Sequence, residues 1–446
     1  FITIACLFAA KTSAQDFTVK LGIVQEIPKK TYLDTVFGYH NGSVYGIRLG
    51  NSPLERNRPF PTYVLEKYSG KSFKLAARNK LEYEKDFKNK LSFDDFRVTQ
   101  SGPVILANQS NTETTTYAAH AYKVNTKGAM EKEPIELTTH TGELAVKASQ
   151  HLVRFSPKRK FRFETSADGS KVLLWSDKPE KRSDNEEFVF KVVDHNLADV
   201  WARPVVLPVE ADLFDFKKVR IDSAANVYIL GRVYQDRDID RRDGVANFHY
   251  VMLVYNADGS EEKYDVNIGD FFIKDADFNI EQSGTIICAG LYSEKNTTRV
   301  KGVFYLDIDQ ASGKVAAKNT QEFSESLRQE FMGDKKAKKG EKELYEYLVK
   351  GILPTPGGGI TLLAEQYFET EIVRETYTVD KYHFNDVIAF GINGEGETTW
   401  SVRVPKKQVG VGTPLNQSFI HGRVGEKVYL IFNDHPKNVG VKDLDN

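Results

Sequence analysis

The chain has 446 residues, 40% hydrophobic and 12% aromatic, with a formal net charge of -1. Such a hydrophobic share supports a packed core and excludes a disordered chain. A balanced charge without a clustered basic excess excludes the electrostatic footprint of a nucleic-acid binder.

Residues 1–15 open on Phe1-Ile2-Thr3-Ile4-Ala5-Cys6-Leu7-Phe8-Ala9-Ala10, then Lys11 and the small residues Thr12-Ser13-Ala14 before Gln15. This reads as a secretory signal peptide lacking its basic start, cleaved near Ala14 or Gln15. The run is too uniform for a half-buried strand and too short for a membrane span, and no transmembrane segment is expected. Cys6 does not read as a lipid anchor, because the apolar run continues past it. Once the signal is removed, Cys288 is the remaining cysteine. Neither an intrachain disulfide nor a cysteine metal site is then expected. Its setting, Ile286-Ile287-Cys288-Ala289, reads as a strand with a buried, inert thiol.

From residue 16 onward one pattern recurs: a tight polar turn followed by a β-branched run. Asn41-Gly42 precedes Val44-Tyr45-Gly46-Ile47, and Ser101-Gly102 precedes Val104-Ile105-Leu106. Asp168-Gly169 precedes Val172-Leu173-Leu174-Trp175, and Ala225-Asn226 precedes Val227-Tyr228-Ile229-Leu230. Ser283-Gly284, Gly357-Gly358 and Gly425-Glu426 repeat it. From Gly42 through Gly102, Gly169, Asn226, Gly284 and Gly358 to Gly425 the steps are 60, 67, 57, 58, 74 and 67 residues. Gly and Asn supply the positive φ that two-residue hairpins need.

A second hairpin falls between most of these turns, at Ser69-Gly70, Lys127-Gly128, His195-Asn196, Asp258-Gly259, Ser312-Gly313 and Gly394-Glu395. Two hairpins per step make a four-stranded unit. The expected fold is an all-β propeller of about seven four-stranded blades, the last one truncated, over residues 16–446. Residues 17–23 would donate a strand to the last blade. Two stacked β-sandwiches are the alternative.

Residues 322–350 interrupt the β pattern as a helical, charged insertion. Phe323, Leu327 and Phe331 recur at helical spacing, with Ser324 placed to cap. Lys335, Lys336, Lys338 and Lys339 follow in a solvated loop, and residues 341–347 suggest a second short helix.

No catalytic site is expected from local motifs. Residues 236–244 alternate Asp with other residues, but Arg241 stands where a helix-loop-helix calcium loop needs Gly and Asn247 where it needs Glu. Ser166-Ala167-Asp168-Gly169 resembles the turn box of sialidase-type propellers, one residue short. The 9 His residues show no pair at ligand spacing. Phosphate-loop, nucleophile-elbow and His-Glu-x-x-His patterns are absent. No metal and no cofactor are therefore expected. Tyr367-Phe368, Tyr377, Tyr382-His383-Phe384 and Trp400 read as cross-strand ladders, with stacking on a sugar or protein partner as the alternative.

Toward the C-terminus, Ala364-Glu365-Gln366-Tyr367, Tyr382-His383-Phe384-Asn385-Asp386, Trp400-Ser401-Val402-Arg403-Val404-Pro405-Lys406-Lys407-Gln408 and Phe432-Asn433-Asp434-His435-Pro436 stand together. In these stretches, and in Ser13-Ala14-Gln15, the chain resembles a family of exported, uncharacterised proteins of Bacteroidota. The resemblance implies an envelope or extracellular location and brings no catalytic residues. The sequence thus points to an exported, non-catalytic binding or scaffolding propeller. A protein or glycan partner would be held by blade loops or residues 322–350. The alternative is a propeller enzyme acting on glycans, a hydrolase or lyase. Its carboxylates would come from Asp222, Asp277, Glu365 and Asp386, gathered at the channel mouth.

Overall fold

The computed structural model describes residues 31–432 except 51–61, 83–88, 112, 142–160, 178–186, 211–212, 237–240, 243–244, 282–283, 295–298, 311–313, 333–343, 345, 357, 374–377, 413, 415–416 and 425–426. The leader, the donated strand at 17–23, the lysine-rich loop, Tyr377, His151 and His435 lie outside the described residues.

Sheet 1 contains β1 (Thr31–His40), β2 (Ser43–Gly50), β3 (Thr62–Ser69) and β4 (Leu75–Lys80). Sheet 2 contains β5 (Asn89–Thr99), β6 (Gly102–Asn111), β7 (Thr116–Lys123) and β8 (Ile135–Thr141). Sheet 3 contains β9 (Arg162–Thr165), β10 (Lys171–Asp177), β11 (Glu187–Asp194) and β12 (Asp199–Val206). Sheet 4 contains β13 (Phe214–Ile221), β14 (Val227–Tyr234), β17 (Phe248–Tyr255) and β18 (Glu261–Val266). The small ribbon β15 (Arg241–Arg242) and β16 (Val245–Ala246) interrupts it. Sheet 5 contains β19 (Phe272–Ile280), β20 (Thr285–Ser293), β21 (Gly302–Asp309) and β22 (Lys314–Glu322).

Sheet 6 contains β23 (Tyr347–Pro354), β24 (Ile360–Val373), β25 (Thr378–Ile392) and β26 (Thr398–Val404), with β27 (Gln408–Val411) paired to β25. A two-stranded seventh sheet follows, of β28 (Phe419–Val424) and β29 (Lys427–Phe432). Each of the six larger sheets is an antiparallel meander whose first strand lies against the first strand of the next, from β1 through β5, β9 and β13 to β19 and β23. These sheets are the blades of a β-propeller, and their first strands surround the axis.

The second strand of each blade is an apolar run because both of its faces are buried. Val104 and Leu106 enter the core between blades 2 and 3, while Ile105 and Ala107 enter the core between blades 1 and 2. Val227 and Ile229 alternate in the same way with Tyr228 and Leu230. Ile287 and Ala289 alternate with Ile286 and Cys288. Cys288 is wholly buried between blades 4 and 5, and burial pushes its thiol far above the ordinary range.

The hairpin turns differ from the expectation of two-residue loops. Asn41-Gly42 is such a turn, with both residues at positive φ. In the turns starting at Asn125, Asp194, Asp222, Asn256, Glu281, Thr355 and Asn393, the first carbonyl instead accepts the N–H three residues on, and the first N–H donates to the carbonyl four residues on. This longer loop needs a single positive φ. It falls on Leu197 and Ala225 rather than on Asn196 and Asn226. The Asn226 side chain donates instead to Asp222 Oδ2 at 2.9 Å.

The insertion supplies one helix, α1 (Glu325–Met332). Ser324 Oγ accepts the Leu327 N–H at 3.2 Å, an N-terminal cap. A second helix is expected at 341–347, but the residues described there, Leu344, Glu346 and Tyr347, are not helical. Leu344 makes an antiparallel bridge to Val300, Glu346 has a φ of 60°, and Tyr347 begins β23. Leu344 and Tyr347 are both buried in the core between blades 5 and 6, which fixes this extended path. Among the described residues no helix is long and apolar enough to cross a membrane.

Candidate functional site

The meander sorts the connections by length. The turns joining first to second and third to fourth strands lie at one end of the ring, and at the other end the second strands finish and the third strands begin. The hairpin end is laced across blades. Arg203 Nη2 donates to the Asn256 carbonyl at 2.9 Å, Tyr264 Oη to the Gln310 carbonyl at 3.0 Å, and the Gln100 N–H to the Gly169 carbonyl at 3.0 Å. The inner strands start at the opposite end.

These inner strands carry charge. A charged residue, an apolar or small one and another charged residue recur as Asp95-Phe96-Arg97, Arg162-Phe163-Glu164, Lys218-Val219-Arg220, Asp275-Ala276-Asp277 and His421-Gly422-Arg423. In blades 1, 2, 4, 5 and 6 the pairing of the inner strand with the second one shifts register, skipping Asp34, Asp94, Lys217, Lys274 and Lys350. A β-bulge at this point raises the local twist and re-aims side chains.

The charged groups meet across the ring. Arg220 of β13 donates to Asp277 of β19 at 3.0 and 3.2 Å. Arg97 and Asp95 pair within β5 at 2.9 Å. Glu164 of β9 feels Arg97, Arg220, Lys218 and Asp95. His421 of β28 feels Asp277, Lys218 and Arg220, although it belongs to the seventh sheet and they to the fourth and fifth. Side chains from five sheets can interact in this way only if they share the axis.

Burial raises the Glu164 carboxyl above the ordinary carboxylate range, and its three cationic neighbours offset this only in part. Burial also raises Asp95, against the pull of Arg97 and the Phe96 N–H. Burial lowers the His421 imidazole, whose Nε2 donates to the Lys350 carbonyl at 3.3 Å. Its Nδ1 is buried without a partner among the described residues. Neither the Glu164 nor the Lys218 side chain has a hydrogen bond or ion pair within that set, in contrast to the paired Arg97 and Arg220.

The four carboxylates expected at the channel mouth do not converge there. Asp277 alone joins the axial cluster. Asp222 shapes a turn, accepting from the Asn226 N–H at 2.8 Å and from Tyr228 Oη at 2.9 Å. Glu365 and Asp386 are brought together, but in a buried knot around Lys406. Lys406 Nζ lies 2.8 Å from Glu365 Oε1, its N–H donates to Asp386 Oδ1 at 3.0 Å, and Arg403 pairs with Asp386 at 2.7 Å. Lys350 and Ser418 also contact Glu365, at 3.0 and 2.7 Å, which ties β23 and the approach to β28 into the knot. Glu66 forms a similar knot in blade 1 with Arg48 and Arg78, at 2.9 and 2.7 Å.

The remaining candidates have structural settings. Asp168 Oδ1 accepts from Ser166 Oγ and from the Ser170 N–H, closing its turn. Asp236 Oδ1 accepts from Asn247 at 3.2 Å, while most of its acidic stretch lies outside the described residues. Among the described residues no cluster of His, Cys, Asp or Glu is gathered to hold a metal. Phe368 stacks on His383 at 4.3 Å, and Tyr367 packs on Phe384 at 4.8 Å, both directly across β24 and β25. They form the expected ladder, on an arm that extends past β23. An exposed Ser101 lies 2.7 Å from His195 Nδ1, but its hydroxyl donates to Asn196 Oδ1. The imidazole therefore does not hold that proton as a base would.

No protein-family model matches this chain. No curated protein matches either. Among solved structures it is similar to prolyl oligopeptidase B from Galerina marginata, bound to a 35mer hydrolysis and macrocyclization substrate, at 10% identity and a TM-score of 0.40. That match covers 88% of this chain and 44% of the other, so the chain spans less than half of that protein's length. An oligogalacturonate lyase in complex with manganese matches at 9% identity and a TM-score of 0.40, covering 83% and 78% of the two chains. A Synechocystis apocarotenoid oxygenase matches at 7% identity and a TM-score of 0.36, covering 78% and 72%. At such similarity nothing of those proteins' chemistry transfers to this chain.

Proposed function

We propose that this chain is an exported binding or scaffolding propeller of the bacterial envelope that holds a polar ligand or partner group on its axis. The axial cluster carries this reading: Arg97, Glu164, Lys218, Arg220, Asp277 and His421 come from five sheets, and two of them, Glu164 and Lys218, have no ion partner among the described residues. Charged side chains with no structural partner, inside a ring of rigid strands, are what a binding site presents and a packing core does not. The envelope location is supported by the leader-like residues 1–15 and by the resemblance to exported Bacteroidota proteins.

Retention from solubilised native envelope tests it. The immobilised wild-type chain should retain a component that a Lys218→Glu variant with an unchanged circular dichroism spectrum loses. Equal retention by both would remove the axis from the account.

A glycan-active enzyme is the second reading, and Glu164 favours it. A carboxyl with raised proton affinity beside three cations has the make-up of a general acid. Product formation from a panel of acidic and neutral polysaccharides, abolished in Glu164→Gln, would support it. An inactive wild-type chain across that panel would leave binding as the function.

A further inference from the structure

Beyond Gln366, β24 runs on as the outer strand of an arm completed by β25 and β27. On its outer side β23 pairs only as far as Tyr347, opposite Gln366. The Tyr367 N–H adds one more bond, to the Glu346 carbonyl at 2.8 Å. Leu344, just ahead in the chain, is already bridged to Val300 of another blade. From Tyr367 to Val373 the register against β25 is unbroken, so bonding directions alternate along the strand. Phe368, Thr370 and Ile372 therefore bond to β25, while Glu369, Glu371 and Val373 point their N–H and C=O groups outward. Among the described residues no strand receives them. The stretch does not serve the propeller core either, since none of Phe368 to Val373 is buried and Val373 is 78% exposed.

A regular, open edge is a template for another strand. Its two faces differ. Glu369, Glu371 and Asp380 share one face, where Tyr367 Oη donates to Glu369 Oε1 and Tyr382 Oη to Asp380 Oδ2, the latter at 3.4 Å. None of these three carboxylates has an ion pair among the described residues. The other face carries Phe368, Ile372, Val379, Val409 and Val411, with Lys381 and His383 among them. Val409 and Val411 are exposed. Pairing with a second copy is disfavoured, because antiparallel registers centred on Thr370 or Glu371 set glutamate opposite glutamate.

We propose that the edge of β24 at Glu369–Val373 receives an extended segment of a partner protein in which basic and apolar residues alternate. Its basic side chains lie beside Glu369 and Glu371 and its apolar ones beside Phe368 and Ile372. Glu369, Glu371 and Val373 supply the main-chain bonds. This surface is separate from the axial cluster and stands or falls without it.

A short capped peptide alternating lysine and valine, titrated into the full chain, is the probe. At saturation, amide exchange at Glu369, Glu371 and Val373 should slow by about tenfold or more, while Phe368, Thr370 and Ile372, already bonded to β25, stay unchanged. Glu371→Pro removes one outward N–H and leaves the ladder to β25 intact, so it should weaken binding about tenfold or more. Glu371→Gln keeps that N–H and should weaken binding only about threefold, with a smaller salt dependence. Methylating alternate peptide nitrogens tests the same bonds with the chain unaltered, and one set of positions should abolish binding while the other spares it. A glutamate-valine peptide should not bind. Binding without protection at Glu369 and Glu371, equal effects of the two methylated sets, or no binding at all would overturn the proposal. Protection that grows with chain concentration in the absence of peptide would assign the edge to a second copy and overturn it as well.

Discussion

Arg220 Nη2 donates to both oxygens of Asp277, at 3.0 and 3.2 Å, across the gap between the inner strands of blades 4 and 5. Asp277 is buried and accepts one further bond, from the Phe278 N–H at 2.7 Å. Without the guanidinium this carboxylate would sit desolvated and uncompensated. Arg220→Met should lower the unfolding free energy by about 2–3 kcal/mol, less than a fully buried pair because the arginine is partly exposed. Adding Asp277→Asn should recover part of the loss. Urea unfolding of the two single variants and the double variant measures this, and strictly additive losses would show that the pair is not formed.

The knot around Lys406 is more deeply buried, with side-chain exposures of 1% for Lys406 and 0% for Glu365. Lys406→Met leaves Glu365 with Lys350 and Ser418 only. The expected loss is about 3–5 kcal/mol. Because Ser418 leads into β28, hydrogen exchange in β28 and β29 should accelerate before it does in blades 2 to 5. Uniform acceleration throughout the chain would contradict a local role.

His120 is buried in blade 2 with neither ring nitrogen paired among the described residues, and burial lowers its imidazole against the pull of Glu136. Above the ordinary value of 6.5 both folded and unfolded chains hold it neutral. As pH falls below that value, the unfolded chain takes up a proton that the folded one refuses, so stability declines down to the folded-state midpoint. His120→Leu should flatten this limb. It should also stabilise the protein by about 1 kcal/mol at pH 7.5 by removing unsatisfied buried groups. Some slope should persist, since His421 is lowered by burial as well. Melting curves between pH 5 and 8 decide it, and a variant with an unchanged limb would exclude His120 as a source.

Gly290 of β20 lies against the bulge at Asp275. A Cβ there would stand 2.1 Å from the Asp275 carbonyl oxygen and 2.8 Å from Ala276 Cα. Gly290→Ala should cost about 3 kcal/mol, because backbone must move. Gly422→Ala, with nothing within 4 Å of the added carbon, should change stability by less than about 0.5 kcal/mol. Chemical denaturation of the two variants provides the comparison, and equal effects would contradict the close approach.

The second strands were legible in the sequence because burial on both faces forces an unbroken apolar run, as in Val104-Ile105-Leu106-Ala107. The repeat of turns then placed the blades. The inner strands were not legible in the same way. Phe214-Asp215-Phe216-Lys217-Lys218-Val219-Arg220 breaks strict alternation at a bulge, and Lys218 and Arg220 serve the axis rather than solvent. Glu164 sits in a strand of four residues, and nothing local separates it from a surface Glu. What could have revealed it is the recurrence of a charged, apolar or small, charged triplet in the inner strands of blades 2 to 5 and of the seventh sheet. That signal appears only when the repeats are aligned with one another. The extended path at Leu344 and Tyr347 was not legible, because it is set by burial of both side chains between blades 5 and 6 and by the bridge to Val300, which are distant in sequence.

The central claim is that charged side chains of successive inner strands meet in one desolvated axial site. Carbon-13 NMR titration of the Glu164 side-chain carboxyl, assigned with Glu164→Gln, tests it most directly. The account predicts a midpoint above the ordinary 4.5, moving higher still in Lys218→Met as a favourable charge is lost. A midpoint at or below 4.5 that ignores Lys218→Met would contradict it.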